Sequence, residues 1–80
     1  MKTHTEKQNA LLEALHTIPA ELAPEAFVGE FSAEDDTPTL HVNLWRGLDL
    51  YHLPEAVASL DIATEGHWDG GRCYSLQVPA

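Results

Sequence analysis

The chain carries five histidines, His4, His16, His41, His52 and His67, and a single cysteine, Cys73. No two histidines stand three or four residues apart, the helical spacing that converges on one ion, and there is no Cys-x-x-Cys pair. One combination is worth naming. On alternation, Glu30, His41, Glu65, His67 and Cys73 are expected on the open face of a sheet, where His41, His67 and Cys73 would approach one another if two hairpins lay side by side. The same alternation demands polar residues on a solvated face whether or not they bind anything, so no metal and no cofactor are expected. Cys73 and His67, expected opposite each other, are the one nucleophile–base pair available. Nothing around them supplies an oxyanion hole, and a lone cysteine serves more often as a small apolar filler. Asp35 and Asp36, beside Glu34 at a loop tip, are expected to be hydrated and ionised rather than an acid–base pair. The glycines of segment 66–71 match neither phosphate-binding fingerprint and are followed by no helix, which makes them turn residues. No enzymatic activity is expected.

Residues 5–18 are expected to form a helix. Thr3 with Glu6, and Thr5 with Gln8, fit the capping box, and Leu11, Leu12, Leu15 and Ile18 recur on one face. Pro19 ends it and opens a single turn to Leu22. Residues 26–33 and 39–45 alternate as two strands, with Phe27, Phe31 and Ala33 inward in the first and Leu40, Val42 and Leu44 inward in the second. Because opposed residues share a face, that choice requires an even loop, Glu34–Thr37. Gly47 breaks the run, and segment 48–52 is open between a strand and an irregular link. Residues 53–60 suggest a short helix with Pro54 in its first position and Val57 and Leu60 inward. Segments 62–68 and 72–78 form the second hairpin. A three-residue loop, Asp69–Gly71, keeps its apolar residues on one face, whereas a two-residue loop sets Glu65 against Tyr74. Three residues are therefore expected, with Trp68 in the core and Arg72 across its ring. The whole is an α+β fold of two layers in the order α-ββ-α-ββ, an antiparallel sheet with helices on one face.

Eighty residues make one domain whose folding hides only about 60% of the surface of the unfolded chain. Thirteen acids face four bases, for a net charge of −9. Between Lys7 and Arg46 lie seven acids and no Lys or Arg. Such a surface repels phosphates and anionic membranes and attracts cationic partners. Direct binding of nucleic acid or membrane is not expected. No run of about 20 apolar residues is present, and the polar start has no signal-peptide character, so a cytoplasmic location is expected.

Trp45, among Glu30, His41 and Asn43, has the character of an interface anchor with a polar rim, with the alternative that it folds over the sheet edge. The size, the −9 charge, the single Cys73 and the lack of a catalytic motif resemble the small acidic inhibitors of phages and mobile elements, anti-CRISPR proteins among them. The resemblance implies a stoichiometric inhibitor seated on a basic, nucleic-acid-binding surface of an effector complex. The residues expected to make that contact are Glu30, Glu34, Asp35, Asp36, Trp45, Asp49 and Glu65. The alternative is a small adaptor or antitoxin-like module, monomeric or homodimeric, pairing through Trp45 or through Leu48 and Leu50 at an exposed edge.

Overall fold

A computed structural model of the chain describes residues 3–30 and 37–79. The fold is α+β. Helix α1 (His4–His16) starts at Thr3, whose hydroxyl oxygen accepts the Glu6 backbone N–H at 3.1 Å. It stops at Thr17, whose hydroxyl donates to the Ala14 carbonyl at 2.7 Å, two residues before Pro19. The Pro19 carbonyl then accepts from the N–H groups of Leu22 and Ala23, the expected single turn. Strands β1 (Glu25–Glu30) and β2 (Pro38–Trp45) form the first hairpin. A 3-10 turn (Leu50–His52) and a one-turn helix α2 (Glu55–Ala58) lead to β3 (Asp61–Trp68) and β4 (Gly71–Gln77). Segment 48–52 is therefore not a strand. Gly47, at φ 90°, supplies the left-handed residue that turns the chain away from β2.

The sheet is antiparallel in the order β1-β2-β4-β3, so the two hairpins join through their second strands. Leu40, Val42 and Leu44 of β2 and Tyr74 and Leu76 of β4 point to the helix side. There they close with Leu11 and Ala14 of α1, with Leu50 and Leu53, and with Val57 of α2 into one core. Full burial of each large aliphatic side chain contributes about 1.5–3 kcal/mol. Helix α1 lies over β1 and β2, and α2 joins the same layer through Val57.

Three expectations about faces are corrected. In β1, Ala26 pairs with Val42 and Val28 with Leu40, so the inward residues are Ala26 and Val28, and Phe27 opposes His41 on the other face. Ala26 and Val28 pack against the core on the side that α1 covers. Pro38 accordingly pairs with Glu30 and not with Ala33; Phe31, Ala33 and most of the expected loop Glu34–Thr37 lie outside the described residues. In the second hairpin the loop is the two-residue Asp69–Gly70, closed by Trp68 opposite Gly71, and Glu65 does stand opposite Tyr74. A register shift between Ile62 and Thr64 restores Ile62 to the face of Leu76, so a β-bulge, not a longer loop, reconciles the two ends of the strand. In α1, Leu12 is 38% exposed while Ala14 is buried, so the inward stripe is 11, 14, 15 and 18.

Candidate functional site

The face of the sheet opposite the helices is laid out in rows by the pairing. Glu25, Asn43, Cys73 and Gly66 form one row, and Phe27, His41, Ser75 and Thr64 the next. Trp45 and Trp68 occupy the end row on either side of Gly71. A Cβ at Gly71 would collide with the backbone of Leu44–Arg46. Its absence lets β4 lie close against β2 at this row, and over it the two indoles, from strands that are not neighbours, meet with ring centroids 5.2 Å apart and a 48° tilt. Trp68 also reaches across to donate its Nε1–H to the Leu44 carbonyl at 2.9 Å, and its benzo ring covers Gly70 so closely that no Cβ fits there. Trp68 is thus half-buried on the outer face, not in the core, and Arg72 does not cross it. Trp45 is left 44% exposed on a fixed support.

The middle rows carry a polar chain. Asn43 Nδ2 donates to Glu25 Oε2 at 3.3 Å, Asn43 Oδ1 lies 3.1 Å from His41 Nε2, and His41 Nδ1 lies 3.5 Å from Ser75 Oγ. Phe27 packs on the His41 ring, centroids 5.0 Å apart. Serine, histidine and amide stand here in the order of a hydrolytic relay, but the Ser75–His41 separation is at the outer limit of a hydrogen bond and the chain lies flat on an open sheet. Such an arrangement orders side chains; it does not desolvate a substrate.

Asp49 is the polar centre of the helix side. Its Oδ1 accepts from the Leu50 N–H at 2.8 Å and from the Tyr74 hydroxyl at 2.8 Å, and Oδ2 pairs with Arg72 Nη1 at 3.2 Å. His52 Nδ1 completes the cap by accepting the Asp49 N–H at 2.9 Å. The Leu50 N–H above all, then the Tyr74 hydroxyl and the Arg72 charge, hold the Asp49 carboxyl below its ordinary value. Burial, with the Asp49 charge beside it, pushes the Tyr74 hydroxyl up.

The residues singled out in the sequence therefore disperse. Trp45 lies on the outer face. Glu65 opposes Tyr74 and His67 opposes Arg72, so both face the helix side, not the outer face with His41 and Cys73. This separates the three candidate metal ligands and places Gly66, not His67, opposite Cys73. Among the described residues no three His, Cys, Asp or Glu side chains converge on one point. Asp49 is hydrogen-bonded to Leu50 and Tyr74 and ion-paired with Arg72, with its side chain 37% exposed. Glu30 ends β1, paired with Pro38; its side chain, like Glu34, Asp35 and Asp36 entirely, lies outside the described residues. Sequence reading missed the Trp45–Gly71–Trp68 clasp, although Gly70-Gly71 two residues past a tryptophan is a signal for it. It also missed the Asp49–Arg72–Tyr74 cluster, which only strand pairing brings together.

No protein-family profile, curated protein or solved structure matches the chain. Among the described residues no helix is long and apolar enough to cross a membrane.

Proposed function

We propose that the chain is a non-catalytic acidic binding protein that inhibits a nucleic-acid-binding effector, in the manner of anti-CRISPR proteins, by occupying its basic surface in the cytoplasm. One observation carries this reading. Of the nine acids whose side chains are described, eight (Glu6, Glu13, Glu21, Glu25, Glu55, Asp61, Glu65 and Asp69) are exposed, while Asp49 is paired with Arg72. Charge presented this way steers a cationic partner and repels nucleic acid itself.

The test is capture of partners from cells at low and high salt, identified by mass spectrometry, with the parent and with a variant carrying Glu34→Lys, Asp35→Lys and Asp36→Lys. The expected partner is a nucleic-acid-binding complex released by salt and lost from the variant, because contacts between exposed charges are screened beyond about 10 Å at 0.1 M salt. A partner held equally by both proteins and insensitive to salt would overturn the reading. The second reading, an adaptor module pairing with a partner or with itself, is favoured by the exposure of Trp45 and of Phe27 at 40%. Salt-resistant capture abolished by Trp45→Ala would support it.

A further inference from the structure

The two halves of that reading, exposed charge and exposed aromatics, meet at one place on the outer face. Glu25 pairs with Asn43, and Trp45 lies two residues further along the same strand. Glu25 and Trp45 are therefore diagonal neighbours on the outer face, and the Cα atoms of such a pair stand about 7–8 Å apart. Both are held in place. Trp45 rests on Trp68, itself fixed by its bond to the Leu44 carbonyl. Glu25 Oε2 is held by Asn43, which is backed by His41, while Oε1 takes no part in that chain. Asn43 is only 8% exposed, so its amide is a fixed post and not a surface group competing for a ligand.

An exposed indole backed by Trp68, with a hydrogen-bonded carboxylate at the diagonal position on a chain of net charge −9, fits one cation better than others. A guanidinium is planar, stacks on an aromatic face and presents a fork of N–H donors to a carboxylate, whereas an ammonium offers a strongly hydrated point charge. We infer that the outer face receives an arginine side chain from a basic protein segment, stacked on Trp45 and bonded by Glu25. This inference rests on the reading of the chain as an acidic binding protein and adds to it the chemistry of the contact.

The experiment uses two peptides, octalysine and the same peptide with its two central lysines replaced by arginine. Binding is followed at low salt by calorimetry and by tryptophan emission. The arginine peptide is expected to bind about two- to fivefold tighter, the range for one exposed cation–π contact. The ratio should fall to one in Trp45→Leu and also in Glu25→Gln. Glu25 is exposed, so its variant keeps the fold and the test stands even if Trp45→Leu is destabilised. Equal affinities in the parent would overturn the inference and leave the charge-based reading intact. An arginine preference that survives in Glu25→Gln would overturn it too, by placing the contact elsewhere. If neither peptide binds at low salt, both readings fail.

Discussion

The Asp49 cluster allows a quantitative test of what joins the 3-10 turn to the sheet. In Asp49→Ala three interactions disappear together. The cap on Leu50 N–H contributes about 0.5–2 kcal/mol. The pair with Arg72, with side chains 55% and 37% exposed, is screened by solvent and adds little. The third is the bond from the hydroxyl of Tyr74, a residue only 2% exposed. Removing its acceptor leaves a largely buried donor unpaired, at a cost of about 1–3 kcal/mol. The expected loss is about 3 kcal/mol, more than half of the roughly 5 kcal/mol available to a domain of this size. Tyr74→Phe removes donor and desolvation cost at once and should lose only about 1 kcal/mol. Urea unfolding of parent, both single variants and the double variant closes a cycle whose coupling should be about 1–2 kcal/mol. A coupling indistinguishable from zero would refute the claim that Asp49 holds the turn to β4 through Tyr74.

The same cluster sets two pH limits. A carboxyl lowered from its ordinary 3.8 adds stability that is present above that value and lost as pH falls through the folded pKa, so Asp49→Asn should flatten the acid limb of a stability–pH curve. A hydroxyl raised from 10.0 adds stability that is full below that value and lost as pH rises through the folded pKa, so the alkaline limb should flatten in Tyr74→Phe. Gly71→Ala, which drives a methyl group into the β2 backbone, should cost about 1–3 kcal/mol. That would lower the melting temperature by about 4–8 °C per kcal/mol for a chain of this length. Trp68→Phe, losing the bond to Leu44, should cost about 1 kcal/mol by the same melting measurement and shift the emission of Trp45 to the red.

Element positions were largely legible in the sequence because each rests on a local signal: Thr3 and Pro19 for α1, Gly47 for the end of β2, Gly70 for the second turn. The inward face of β2 was legible for the same reason, since Leu40, Val42 and Leu44 alternate with polar neighbours. The inward face of β1 was not. Phe27 carries the strand's largest apolar side chain, yet Ala26 and Val28 are the residues that face the core, and no pattern within six residues records on which side a helix will lie. The bulge near Ile62 escaped because strict alternation offers only a longer loop to reconcile Ile62 with Tyr74. Of the candidate site, Trp45 was found by its type among polar neighbours. Its partners were not, because Glu25, Gly71 and Trp68 become neighbours only through the strand order.

That strand order also shapes how the chain reaches its native state. Each hairpin closes locally, but the seam between β2 and β4 joins residues roughly thirty positions apart, and Tyr74 and Leu76 enter the apolar core only after it forms. Bringing distant segments together is the slow entropic step. Until then each hairpin presents its more apolar strand as a raw edge, able to pair with a neighbouring copy instead. During synthesis β2 must wait unpaired on that side until β4 has emerged, so yield at high expression should depend on how fast the second hairpin follows the first.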